Sequence, residues 1–398
     1  MKSLKNVLIF IVAGITVISC KKKESVQLNL VVPPVVTPPS NSGNTVLKVS
    51  LGLNQANPSV DLDAWVVYSS STQNSGDFKP LPAGYDDKIK SFLLPKGYMA
   101  VFAENQNGTG ESICYVAAVN DISANLPARL VDKVSFVRFV PVRNVDKKGV
   151  CNVTPGDVNA LQGAWFYNWG LGSVSTDAMQ YVPMTWGKNA GSTANALTFI
   201  GRRDIDHVLS FNEPDNKNQA NITNIDEAVT NYKFILQAGL RMCSPAVEQD
   251  ASTGATRWLP QFVSAANAQK ARIDVMALHW YDWGNQTVNQ ATDQLTAAAI
   301  LNRFKAYVTK LHAAYPDQTL WFTEYNCNPA RSEAVHILFM KASAAYLNTL
   351  PYVERYAYFF PAVHPPTSGA PNFTLTPMGQ TWFDIKSVPS FSANIIPK

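Results

Sequence analysis

Two glutamates stand where an apolar run has just ended. Val208-Leu209-Ser210-Phe211-Asn212-Glu213-Pro214-Asp215 carries three apolar positions into Asn-Glu-Pro. Such a run reads as a strand buried on both faces. Pro214 cannot continue a ladder, so Glu213 falls at the strand's carboxyl end. Leu320-Trp321-Phe322-Thr323-Glu324-Tyr325-Asn326 repeats the pattern. A charge in that position is costly unless it has a partner or a task. One Asn-Glu-Pro alone fits an ion-paired structural residue. Two such glutamates, roughly one hundred positions apart, suggest the paired carboxylates that cleave glycosidic bonds.

The elements that must carry them follow from Lys147 onward, where strand and helix patterns alternate, as in parallel β/α units. Eight strands are expected: Lys148–Asn152, Ala164–Trp169, Tyr181–Trp186, His207–Pro214, Arg241–Val247, Ile273–Tyr281, Thr319–Asn326 and Val353–Pro361. Helical spacing falls between the later ones, at Asp226–Ala238, Trp258–Gln269, Leu295–Ala314 and Glu333–Leu347. Gly- and Asn-rich loops join the first strands, so early helices are expected to be short or missing. Eight strands in about 250 residues predict a (β/α)8 TIM-like barrel over 146–398, whose catalytic groups gather at the carboxyl ends of the strands. Glu213 then ends the fourth strand and Glu324 the seventh.

Residues 45–145 read differently. Short alternating or apolar runs, including Thr45–Leu51, Tyr98–Ala103 and Val134–Val142, are separated by turn signals such as Asn57-Pro58 and Pro95-Lys96-Gly97. They predict a small all-β, β-sandwich-like domain, either a carbohydrate-binding module or a packing domain. Its one tryptophan, Trp65, is followed by Val66 and Val67 and is expected to be buried. Further upstream, Lys2 and Lys5 precede an apolar Val7–Ile18 run too short to span a bilayer comfortably. Val17-Ile18-Ser19-Cys20 resembles a bacterial lipobox. Residues 1–19 are therefore expected to be a lipoprotein signal peptide, Cys20 the lipidated residue, and 20–44 a Pro-rich tether. An ordinary secretory leader is the alternative. The expected location is the cell envelope, on the periplasmic or outward face of an outer membrane, with the lipid as the only membrane contact.

The formal net charge of +4 includes five lysines before residue 24, so the rest of the chain is close to neutral, at −1. It offers no basic face for nucleic acid, and the balance suits a neutral substrate. Cys114, Cys151, Cys243 and Cys327 lack CxxC spacing, which excludes zinc and redox motifs of that type. The last three are expected to be buried thiols, a bridge remaining open. No phosphate loop, G-x-S-x-G elbow, H-E-x-x-H pair or calcium loop occurs, and neither metal nor cofactor is expected.

Six segments in order resemble glycoside hydrolase family 128, the Asl1-like catalytic domain, over roughly 146–390. They are Trp165-Phe166-Tyr167-Asn168-Trp169-Gly170, Val182-Pro183-Met184-Thr185-Trp186-Gly187, Phe211-Asn212-Glu213-Pro214-Asp215, Ser244-Pro245-Ala246, Leu278-His279-Trp280-Tyr281 and Phe322-Thr323-Glu324-Tyr325. Arg355-Tyr356-Ala357-Tyr358-Phe359-Phe360 departs, with tyrosine in place of an expected tryptophan. The resemblance implies endo-type cleavage of β-1,3-glucan with retention, Glu213 as general acid/base, Glu324 as nucleophile and Asn212 as donor to the sugar 2-hydroxyl. A glycan-binding protein on a decayed barrel, or the same chemistry on another neutral β-glucan, are the alternatives.

Around this pair, Tyr281 is expected to donate to Glu324. His279 alternates with it and should point the same way, either into the site or as a satisfied core histidine. Sugar rings pack on indole and phenol faces. Trp169, Trp186, Trp280 and Trp283, at or past strand ends, are therefore candidate cleft walls, with Asn168 and Asn326 beside them. Trp165 and Trp321 are expected in the core, and Trp258 and Trp382 in helix packing. The chain is expected to act as a monomer on a polysaccharide.

Overall fold

The computed structural model describes residues 46–70, 77–284 and 288–397, all within one compact unit, Pro34–Lys398. The expected leader, Cys20 and tether lie outside the described residues. No described helix is long and apolar enough to cross a membrane.

Strands come first: β1 (Val46–Ser50), β2 (Ser59–Asp63), β3 (Val67–Ser69), β4 (Phe78–Lys79), β5 (Ser91–Leu94), β6 (Tyr98–Ala103), β7 (Ser112–Ala117), β8 (Ile122–Asn125) and β9 (Phe136–Pro141). They form a four-stranded sheet, β2-β1-β5-β8, and a five-stranded sheet, β4-β3-β9-β6-β7. The five-stranded sheet is buried on both faces. Tyr98, Phe102, Tyr115 and Phe139 pack toward the smaller sheet. Met99, Val101, Val116 and Val140 join the core of the following β/α region. That double burial explains why β6, β7 and β9 read as continuous apolar runs rather than alternating ones.

Eight parallel strands follow: β10 (Lys148–Cys151), β11 (Trp165–Tyr167), β12 (Gln180–Tyr181), β13 (His207–Val208), β14 (Arg241–Met242), β15 (Val275–Trp280), β16 (Thr319–Tyr325) and β17 (Val353–Tyr358). Six make the sheet β12-β11-β10-β17-β16-β15, and β13 pairs with β14. Parallel bridges Met184–Leu209 and Cys243–Val275 join the pair to the sheet on either side. Each strand is thus bonded to its sequence neighbour, and β17 to β10.

The helices between them are α1 (Pro155–Leu161), α2 (Thr193–Ile200), α3 (Ile225–Leu236), α4 (Trp258–Ala268), α5 (Asp293–Ala314), α6 (Glu333–Asn348) and α7 (Pro377–Asp384). The segment between β11 and β12 holds no helix. Side-chain caps start several of them: Asn224 accepts from Glu227 N, Thr292 from Leu295 N and Ser332 from Val335 N.

The two regions are joined by buried polar bonds. Arg138 of β9 donates to Ala238 O past the end of α3, and to Phe199 O and Ile200 O at the end of α2. The C-terminal segment pairs Ile395 with Val116 of β7. Trp65 is half-buried, and Arg203 stands over its ring at 5.7 Å. Its ring is therefore a packing surface against the β/α region. Cys114, Cys151, Cys243 and Cys327 are free and buried.

Candidate active site

Alternation along β15 sends Val275, Ala277 and His279 into the ring of strands and Met276, Leu278 and Trp280 out to the helices. Tyr281, next in line, turns inward. Trp280 is therefore not a cleft wall. It packs at 4.9 Å on Phe304 of α5 and 5.8 Å on Phe339 of α6.

β16 would fail to deliver its glutamate by alternation alone. Trp321 points inward, so strict period two would turn Glu324 out. The register with β15 shifts between Leu278/Phe322 and His279/Glu324, leaving Thr323 as the extra residue. This bulge re-aims Glu324 inward and sends Tyr325 out, stacked on Phe304. Glu213 arrives by a different device. Its φ is +42°, its N–H donates to Ala246 O at 2.6 Å, and Pro214 ends the run. A left-handed non-glycine residue needs surroundings that hold it there.

The result is a row of three groups. His279 Nδ1 is 2.9 Å from Glu213 Oε1, and its Nε2 is 3.5 Å from Glu324 Oε1. Atoms of all three lie within 4.8 Å of one another. The two ring nitrogens face opposite carboxylates, so the groups form a chain.

Glu324 is ringed by donors: Tyr167 Oη at 3.2 Å and Trp169 Nε1 at 2.8 Å to Oε1, and the Tyr281 hydroxyl to Oε2. Burial, reinforced by the charge of Glu324, pushes both tyrosine hydroxyls well above their usual range, so they stay donors. Two residues past Glu213, burial together with the charges of Glu248 and Glu213 pushes Asp215 up to about 6.

The other expected residues divide. Asn212 is buried with Nδ2 on Gln219 at 3.3 Å, and among the described residues its Oδ1 has no partner. Trp186 is partly buried at the rim. Trp283 is 53% exposed, its ring 6.2 Å from Tyr281. Trp169 contacts Glu324 itself. Asn326 is fully buried, with its amide donating to Phe359 O and accepting from Asn328 N. It braces a loop and, fully buried, presents no surface to a sugar. Asn168 likewise organises its own turn, donating to Ser173 and accepting from Tyr181.

Tyr167 was not among the expected site residues. It lies two positions after Trp165 on one strand, so an inward Trp165 places the Tyr167 hydroxyl inward near the carboxyl end. That parity was the available signal.

Residues 154–382 match the family model described as glycosyl hydrolase catalytic core. The chain belongs to this family of glycoside hydrolases. Among solved structures it is similar to a family 128, subgroup I, endo-β-1,3-glucanase from Amycolatopsis mediterranei bound to laminaritriose. The identity is 27% over 60% of this chain and 98% of that one, with a TM-score of 0.51. A glutamate-to-alanine variant of that enzyme bound to laminaripentaose matches at 27% identity, over 60% and 99% of the chains, with a TM-score of 0.50. The family 128 resemblance of the six segments is thus shared by the whole β/α region. A comparison with curated proteins finds no match.

Proposed function

We propose that this glycoside hydrolase cleaves β-1,3-glucan with retention of configuration, acting within the chain. The observation that carries this reading is the closeness of the two carboxylates, with oxygens of Glu213 and Glu324 within 4.8 Å. Retaining enzymes hold their carboxyl groups about 5–5.5 Å apart, and inverting ones about 6.5–9.5 Å. The scaffold is read as a (β/α)8 barrel preceded by a β-sandwich-like domain, with both glutamates at its catalytic face.

Glu213 carries the proton and gives it to the glycosidic oxygen. Glu324 attacks the anomeric carbon from the other side, and a glycosyl ester forms. Glu213, now a carboxylate, takes a proton from water, and water displaces Glu324. Asn212 is placed to meet the sugar 2-hydroxyl. Trp186 and Trp283 offer flat faces to neighbouring sugars. The laminari-oligosaccharide complexes of the Amycolatopsis enzyme support a β-1,3-linked substrate. We place the enzyme as a monomer in the cell envelope, lipid-anchored through Cys20.

Incubation with laminarin, mixed-linkage β-glucan and cellulose, each separately, tests this reading. A ladder of short β-1,3 oligosaccharides from laminarin alone is expected, with the β-anomer formed first by NMR. Binding without release from any glucan would instead support a glycan-binding protein. Cleavage of a different polymer would keep the glutamates and discard the substrate.

A further inference from the structure

The two oxygens of Glu324 are not equivalent. Oε1 accepts from Trp169 Nε1 at 2.8 Å and shares the single proton of the Tyr167 hydroxyl, 3.2 Å away, with Thr323 O at 3.0 Å; His279 Nε2 lies 3.5 Å from it. A carboxylate oxygen has two lone-pair directions, and at Oε1 both face donors. Oε2 accepts from the Tyr281 hydroxyl and keeps one lone pair.

The donor at Oε1 is built, not incidental. Trp169 has φ +57°, and the turn that holds it there is braced on both sides. Asn168 Oδ1 accepts from Gly170 N, and the Tyr181 hydroxyl shares its proton between Gly170 O at 2.6 Å and Asn168 Oδ1 at 3.0 Å. The indole is also fixed edge-on by Tyr167 at 5.1 Å and Phe359 at 5.9 Å. Phe359 in turn meets Tyr281 at 5.9 Å. Four aromatic rings thus form a collar around one carboxylate, and three of them donate to it.

We propose that Trp169 is a positioning residue for the nucleophile: with Tyr167 it occupies Oε1, so that Oε2 is the oxygen that attacks. This rests on the proposed retaining mechanism. In the first step the Oε2–C1 bond forms, the bond from C1 to the glycosidic oxygen breaks, and the proton of Glu213 passes to that oxygen. Oε1 becomes the ester carbonyl and keeps both donors. In the second step a water oxygen bonds to C1, its proton goes to Glu213, and the C1–Oε2 pair returns to the carboxylate.

The two steps use the indole differently. Charge leaves Glu324 in the first, so a donor at Oε1 gives the transition state no advantage over the ground state. Charge returns in the second, where the same donor stabilises the departing carboxylate. Removing the N–H should therefore slow the second step selectively, by roughly tenfold or more.

The test uses Trp169→Phe on the full chain and an activated aryl β-laminaribioside, followed by stopped flow. The expected result is a burst of aryl alcohol stoichiometric with enzyme, then a slower steady rate with kcat and KM falling together. Mass spectrometry of the acid-quenched variant should show the added glycosyl mass. Phe359→Leu disturbs the same collar without removing a donor, and should produce no burst. Equal slowing of both phases in Trp169→Phe, or a burst in Phe359→Leu as well, would overturn the proposal in favour of simple packing. A wild-type enzyme inert on both laminarin and the aryl glycoside would instead remove the retaining mechanism on which the proposal rests.

Discussion

His279 Nδ1 lies 2.9 Å from Glu213 Oε1, in a ring that is fully buried. Burial alone would drive the imidazole toward its neutral form. The charge of Glu324 and the hydrogen bond and charge of Glu213 outweigh it, and hold its pKa above the usual 6.5. A histidine raised on folding contributes stability that is complete below its unfolded value and fades as pH rises through the raised one. The melting temperature of wild type should therefore exceed that of His279→Asn most in mildly acidic buffer, and the gap should narrow as pH climbs. A gap independent of pH would mean that the ring contributes by packing only.

The two carboxylates should separate by leaving group. Glu213→Gln removes the proposed proton donor, and a general acid is worth roughly 10²–10⁴-fold. Laminarin hydrolysis should fall by that range, and hydrolysis of an aryl glycoside with a good leaving group much less. Glu324→Gln should abolish both while circular dichroism stays unchanged. Wild-type rates in both variants would remove the assignment altogether.

How the chain reveals this site depends on which physical rule each residue obeys. All eight parallel strands and the four helices expected between the later ones were legible from apolar runs and helical spacing. Glu213 and Glu324 were legible because charge after a buried run is costly. Trp280 sits near a strand end but is no cleft wall, because His279 and Tyr281 take the inward parity and leave it the outward one. Glu324 faces inward for a reason its own strand only partly contains. The bulge at Thr323 turns it inward, and bulges depend on cross-strand register that one strand's sequence does not contain. Asn326 and Asn168 were hidden because an asparagine that braces a loop looks identical, in sequence, to one that meets a sugar.

Arg138 predicts how the two regions depend on each other. It is fully buried, and burial pushes its pKa down to about 9. It has backbone carbonyls at the ends of α2 and α3 as acceptors, where the helix dipoles favour a cation. Arg138→Met leaves those carbonyls without a charged donor, and should cost about 2–4 kcal/mol. Urea unfolding should show the loss as a lower midpoint. An unchanged midpoint would mean that desolvating the guanidinium already cancels what its hydrogen bonds contribute.

The opposite end of the strand ring carries a second buried charge pair, and it makes part of the fold's stability sensitive to acid. Glu354 is the extra residue where β16 and β17 slip register. Arg241 reaches it with both terminal nitrogens, at 2.6 and 2.7 Å, and Trp321 Nε1 donates to it at 2.9 Å. Burial would raise this carboxyl, but the charge and hydrogen bonds of Arg241 prevail and lower it below 4.5. A depressed carboxylate contributes stability above its unfolded value and loses it as pH falls through the folded one. Glu354→Gln strands the Arg241 charge, and should cost about 3–5 kcal/mol near neutrality. The glutamine cannot titrate, so the difference from wild type should shrink as pH drops below 4.5. Denaturant unfolding of both proteins across that range measures it. A difference that persisted unchanged in acid would place the stabilisation in the shape of the bulge and not in the charge.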